Sequence, residues 1–316
     1  MTKVYVSQFG TALGSVRRTV EDAEVDGLLV STAAALRSAG FAMHYRCARD
    51  ENACELASRA LIASGIDPAA VDAIVYSTCL PQNGNLGDPA DFEHTGDVKH
   101  LMRFPVSELQ ADFGMDKAFV VGLSQQACTG MLGALRIGRS LLTAEPELQN
   151  VLCITADRFP PGAKYEQSFN LISDGAAACL LSREPAGLLL CDVHHISNGA
   201  MVRATDDEIA ASFFSYTCRL VDEALERAGL TLSDIRWIVP QNINSTAMKI
   251  LGGLLGAKQT QLYRPALANC GHVISADNII NLAALCNGAP LAAGDRLLTF
   301  MAGYGSNWQC ALLEAT

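Results

Sequence analysis

Apolar positions along the chain fall into short β-branched runs and longer stretches of helical spacing, and the two types meet most sharply between residues 118 and 142. Ala118–Leu123 is a short apolar run, which predicts a buried strand. From Thr129 to Leu142, Leu132, Leu135 and Leu142 recur at helical spacing with Gly130, Gly133 and Gly138 between them. Those glycines weaken an isolated helix, so a close approach by another backbone is expected. Further helices are expected at 51–66, closed by Gly65 before an Asp67-Pro68 turn, and at Asn278–Cys286. Strands are expected at Val71–Thr78, after the Leu171–Gly175 turn, at Gly187–Ile196, at Arg296–Phe300 and at Trp308–Leu313. Between Asn83 and Arg103 the chain is polar and aperiodic, the pattern of a lid or binding loop.

One helix–glycine–strand unit occurs twice. Ala60-Leu61, Gly65 and Ile74-Val75 return as Ala224-Leu225, Gly229 and Ile238-Val239 in one ungapped register. Helix, glycine stop, short loop and strand thus repeat together. This predicts two similar α/β halves, 1–185 and 186–316.

Composition narrows the class. With 316 residues, half of them apolar, the chain can bury a large core. A net charge of −10 disfavours general nucleic-acid binding. No apolar run reaches membrane-spanning length and Met1–Val6 carries no signal-peptide pattern, so a cytoplasmic protein without a membrane segment is expected. Eleven cysteines, an odd number without C-x-x-C spacing, point to a reducing compartment rather than to disulfides or a metal site. His194 and His195 are adjacent in a strand, face opposite ways and are read as structural.

Most of the cysteines are expected to fill core, because free cysteine is among the most buried residue types. Cys128 differs by its place, where strand hands over to helix. The unpaired N–H groups and positive dipole end there favour a thiolate and can later hold an oxyanion.

At this point the motifs resemble the thiolase fold, and within it the ketoacyl-acyl-carrier-protein synthase III branch. The resemblance rests on Cys128 at its junction, the Ser173-Asp-Gly-Ala176 turn, Ile238-Val-Pro240 before a polar cluster, and the closing glycine turn before Trp308. It implies a five-layer αβαβα sandwich built from two similar halves, usually a homodimer. Condensing members carry a histidine directly after the proline matching Pro240 and an asparagine after the glycine matching Gly271. Here those positions hold Gln241 and His272. The arrangement is similar to an offshoot that transfers acyl groups to alcohols or amines in antibiotic tailoring. The resemblance then implies an acyl-enzyme on Cys128, His272 as base, and an orienting amide from Gln241, Asn242 or Asn244 where those relatives have an acidic residue. The oxyanion would rest on the N–H of Cys128 and one from Tyr304–Gly305. Asp277 is the competing orienter, but five positions beyond His272 in the expected helix it is predicted to point away and to serve as a cap or a solvated residue. The implied partners are acyl-coenzyme A or acyl carrier protein and a small-molecule acceptor, with no cofactor beyond the coenzyme A or phosphopantetheine thioester used as substrate. A carbon–carbon-forming condensing enzyme and a non-catalytic partner subunit are the alternatives.

Overall fold

A computed structural model describes residues 2–316 except Phe169, Ala289, Pro290 and Gly305, with Asp206 described in its backbone only. The strands of the first half are β1 (Tyr5–Leu13), β2 (Val16–Thr19), β3 (Met43–Arg46), β4 (Ala73–Ser77), β5 (Phe119–Leu123), β6 (Asn150–Asp157), β7 (Glu166–Gln167), β8 (Asn170–Leu171) and β9 (Gly175–Ser182). The remainder are β10 (Leu188–Ser197), β11 (Ile235–Pro240), β12 (Arg296–Gly303) and β13 (Asn307–Ala315). The helices are α1 (Val20–Val25), α2 (Ala33–Ser38), α3 (Ala53–Ser64), α4 (Pro89–Thr95), α5 (Pro105–Asp112) and α6 (Gly130–Ala144). They continue with α7 (Asp206–Ala228), α8 (Ser245–Leu255), α9 (Leu267–Cys270) and α10 (Asp277–Gly288).

Nine strands join in the order β11-β12-β13-β10-β1-β9-β6-β4-β5. β4 runs parallel to β5 and β6, and β11 runs parallel to β12; the remaining pairings are antiparallel. Strands and helices form five layers. The central layer is α6 and α10, whose Met131, Leu132, Leu135, Ile279, Leu282 and Leu285 are buried among side chains from both ends of the sheet, including Val75, Val151, Val239 and Leu297. Outside, α3 packs its Leu56, Ala57, Ala60 and Leu61 on Ile74, Leu152 and Ala178. On the opposite side α7 packs Leu220, Val221 and Ala224 on Ile238, Leu298 and Leu312. Each fully buried leucine of this kind contributes about 1.5–3 kcal/mol relative to exposure. Among the described residues no helix is long and apolar enough to cross a membrane.

The repeated unit has the same local build in both places. α3 and α7 end on Gly65 and Gly229, each at φ +66°, and each is followed by a 3-10 turn before its parallel strand. An L-residue pays a steric cost in that left-handed conformation, so glycine is the natural stop.

Three expectations change in detail. β5 is a strand, but it lies at the sheet edge, pairs with β4, and leaves Phe119 and Val120 39% and 36% exposed rather than buried. The closeness expected around Gly138 of α6 comes from strand side chains: an added Cβ would lie 2.6 Å from Leu181 and 3.2 Å from Val151. The 83–103 segment holds α4 and two 3-10 turns, and closes on itself through Leu86 N–H to Arg103 O (2.6 Å) and Asn85 Nδ2 to Leu101 O (2.6 Å).

Candidate active site

Cys128 sits in a 3-10 turn, Ala127–Thr129, that runs directly into α6. The residue before it, Ala127, has φ +47°, a left-handed conformation uncommon outside glycine. Strain of this kind persists only where the surroundings impose it. Here Ser275 Oγ donates to Ala127 O (3.2 Å), Thr129 Oγ1 donates to Gln126 O (2.7 Å), and Gln309 Nε2 donates to Thr129 Oγ1 (3.1 Å). The Cys128 side chain in this turn is half-buried.

His272 arrives from the other half of the chain. Gly271 before it has φ +62°, and a Cβ there would collide with Leu171 O, so only glycine lets the two backbones meet. His272 N–H then donates to Leu171 O (2.8 Å), and Ser173 N–H donates to His272 O (2.9 Å). Ser173 Oγ also donates to Cys270 O (2.5 Å). The Ser173–Ala176 turn of the sequence motif is therefore what pins the histidine loop. Its Asp174, buried, accepts from Cys47 N (2.7 Å), Phe159 N (2.8 Å) and Tyr165 Oη (2.8 Å).

The Nδ1 partner of His272 is Asp277 Oδ2 at 2.5 Å. This overturns both the amide orienter and the outward-facing Asp277 expected from the sequence. Residues 274–276 form a separate 3-10 turn with Ile274 at φ +51°, so helical spacing does not apply between 272 and 277. Asp277 opens α10 and also accepts from Val273 N (2.7 Å), Asn242 N (2.7 Å) and Asn242 Nδ2 (3.2 Å). Asn242 thus holds the carboxylate rather than the ring, and Asn281 Nδ2 in turn donates to Asn242 Oδ1 (2.9 Å). Gln241 is buried with its Oε1 accepting from Ala302 N (2.5 Å). Asn244 caps α8 by accepting from Ala247 N (2.8 Å). Neither of these two amides bonds to the imidazole.

With Nδ1 committed to Asp277, the imidazole and the Cys128 thiol act on each other electrostatically. Burial alone would lower the His272 pKa, but the charge and hydrogen bond of Asp277 reverse this and raise it to about 10. The Cys128 thiol is drawn down to about 5, first by a hydrogen bond from Cys79 and, against the opposing effect of burial, by His272. Burial pushes Cys54 up to about 11 and Cys310 up to about 12, so these thiols are inert beside it.

Cys79 had no sequence signal. Its Sγ lies 3.8 Å from Cys128 Sγ. Its turn hangs on the buried Asp157, which accepts from Thr78 Oγ1 (2.6 Å), Cys79 N (2.9 Å), Leu80 N (3.1 Å) and Asn83 Nδ2 (3.2 Å).

At the expected oxyanion site, β12 ends on Gly303 directly against the nucleophile, where an added Cβ would stand 3.1 Å from Cys128 N. Tyr304 is 62% exposed, with its hydroxyl against that of Ser168. Gly305 lies outside the described residues. Chemically, the arrangement is a thiol, a carboxylate-held imidazole and the backbone N–H of Cys128, components that acyl transfer requires.

Comparison with known proteins gives the family of the chain. The family model for 3-oxoacyl-[acyl-carrier-protein] synthase III matches residues 124–199, and the model for the C-terminal part of that family matches residues 225–315. The β-ketoacyl-[acyl-carrier-protein] synthase III of Rhodobacter capsulatus is 25% identical over 94% of this chain and 95% of its own length. That of Coxiella burnetii is 25% identical over 83% and 82%. The solved structure of the acyltransferase ChlB3 superposes with a TM-score of 0.81 at 21% identity, covering 99% of this chain and 98% of its own. The synthase III of Pseudomonas aeruginosa PAO1 gives a TM-score of 0.80 at 19% identity over 99% and 98%. With nucleophile turn, histidine loop and both family models in register along one fold, the chain belongs to the thiolase-fold 3-oxoacyl-[acyl-carrier-protein] synthase III-like family of acyl-transferring and condensing enzymes.

Proposed function

We propose that this enzyme is an acyltransferase that takes an acyl group from a coenzyme A or acyl carrier protein thioester onto Cys128 and passes it to an alcohol or amine, in secondary metabolism. The observation that carries the reading is the His272–Asp277 hydrogen bond, at 2.5 Å, beside the Cys128 thiol. The Cys128 thiolate attacks the thioester carbonyl, and the tetrahedral oxyanion forms against the Cys128 N–H and the backbone following Gly303. The carbon–sulfur bond to the carrier breaks, and the departing thiolate takes its proton from His272. An acceptor hydroxyl or amine then gives a proton to His272 as it attacks the acyl-enzyme. The bond to Cys128 breaks and the product ester or amide leaves.

A condensing enzyme must instead generate a carbon nucleophile from its extender. The position that holds histidine in condensing members is Gln241, which brings no imidazole and whose Oε1 is taken by Ala302 N–H. Likeness to ChlB3, which is named an acyltransferase, supports acyl transfer. The acting unit is taken to be a homodimer, for which the unpaired edge of β5 with its exposed Phe119 and Val120 is the supporting feature.

Intact-mass spectrometry with a panel of acyl thioesters tests the first step. One acyl mass on the native protein, absent from Cys128→Ala, is expected. Product analysis with alcohols and amines tests the second. Carbon dioxide release from malonyl thioesters with a new carbon–carbon bond would replace this reading by the condensing one.

A further inference from the structure

Acyl transfer by a cysteine needs one thiol, yet two face each other here. Cys79 and Cys128 come from separate turns, 49 positions apart, and their sulfurs stand 3.8 Å from one another. Both residues are partly exposed. Another pair, Cys153 and Cys179, is cross-strand partners in β6 and β9, but both are fully buried in the central core. The 79–128 pair therefore differs in joining proximity to access.

The backbone fixes that proximity. The Cys79 turn is anchored by Asp157 through Thr78, the N–H groups of Cys79 and Leu80, and Asn83. On the other side Ala127 and Thr129 are held by Ser275 and Gln309. The two anchored turns thus hold the sulfurs 3.8 Å apart.

We propose that Cys79 and Cys128 form a dithiol modification site at which a peroxide, exemplified by hydrogen peroxide, closes the nucleophile into a reversible internal disulfide. In the first step the Cys128 thiolate attacks one peroxide oxygen and the O–O bond breaks. The departing hydroxide takes a proton from His272, giving Cys128 sulfenic acid and water. In the second, the Cys79 sulfur attacks the sulfenic sulfur, the S–O bond breaks, and the Cys79 proton leaves with the hydroxyl as a second water. Two thiols have lost two electrons and two protons, and one peroxide has become two waters. A dithiol reductant reverses the change by exchange, ending as its own disulfide. The consequence is protective: Cys128 is removed from acylation but kept from the irreversible sulfinic and sulfonic acids.

The test is hydrogen peroxide in several-fold molar excess on the full chain, read by intact mass and by peptide mapping without reduction. The native protein should lose the mass of two hydrogens, yield a linked Cys79–Cys128 peptide, and stop accepting iodoacetamide at Cys128 until dithiothreitol is added. Cys79→Ala and Cys79→Ser should instead gain two or three oxygens on Cys128, with labelling not restored by dithiothreitol. Iodoacetamide labelling of Cys128 before oxidation shows whether either variant keeps the site, and one that does suffices. Irreversible oxygen gain in the native protein, or dithiothreitol-reversible loss of labelling that survives in both variants, overturns the proposal. These readouts involve no acyl substrate, so they stand apart from the outcome of the acyl-transfer tests.

Discussion

His272 and Asp277 are joined through Nδ1 and Oδ2 at 2.5 Å, although a helix would place residues five apart on different faces. The contact exists because the chain turns left-handed at Ile274 before α10 begins. It commits Nδ1 of His272 to the carboxylate and fixes the orientation of the ring.

Asp277→Asn keeps the shape but presents an amide where a carboxylate accepted four hydrogen bonds. Acyl transfer should fall by about 10²–10⁴-fold, the range for loss of an oriented general base. Steady-state transfer to an alcohol or amine measures it, and a variant of undiminished turnover would remove Asp277 from the mechanism.

Asn242→Asp should not be tolerated. The new carboxylate would lie against Asp277 Oδ1, now 3.2 Å from the amide, inside a fully buried network. A cost on the order of 3 kcal/mol is expected from an uncompensated buried charge. Thermal denaturation should show the loss at neutral pH and its partial recovery on acidification, as one carboxylate takes a proton.

The pH dependence of Cys128 alkylation follows from its depressed pKa and the raised one of His272. Reactivity should rise as pH passes about 5, where the thiolate forms, and change again near 10, where the imidazolium is lost. For stability the sign is set by His272, whose folded value lies above its ordinary 6.5. Its contribution is complete below about 6.5 and disappears as pH rises through about 10. A simple titration of Cys128 near 9 would contradict the ion pair.

Asp157→Ala leaves Cys79 N–H and Leu80 N–H without their acceptor, while the Thr78 hydroxyl keeps Leu80 O at 3.0 Å. At about 1–3 kcal/mol for each group left unsatisfied, destabilisation of at least about 2 kcal/mol is expected. Urea unfolding followed by circular dichroism gives the value. Burial raises the Asp157 pKa to about 6, so the native carboxylate itself favours folding most below its ordinary 3.8 and less as pH rises through 6.

Phe119→Asp places a charge on the exposed face of the edge strand β5. Sedimentation equilibrium should show a shift from dimer to monomer at micromolar concentration. A native protein that is monomeric at all concentrations would end the edge-pairing idea.

Residue pattern alone carried the strands and helices around Cys128, the glycine stops of α3 and α7, and the repeat that places α3–β4 and α7–β11 in matching positions. These are local properties: side-chain period and left-handed glycines act within a few residues, so they are legible in one dimension. The junction of Cys128 and the Gly271-His272 turn were legible for the same reason. What surrounds them was not. β5 reads as buried because its residues are apolar, but edge or centre is decided by which strands pair with it. Asn242 and Asp277 exchanged expected roles because a single left-handed residue, Ile274, breaks the helical spacing on which the sequence reading relied. Cys79 was invisible, since its nearness to Cys128 spans 49 positions and depends on Asp157, still farther along, to hold its turn. Chemistry at a site depends on distances between side chains from different segments, and only the packed sheet and its helices set those distances.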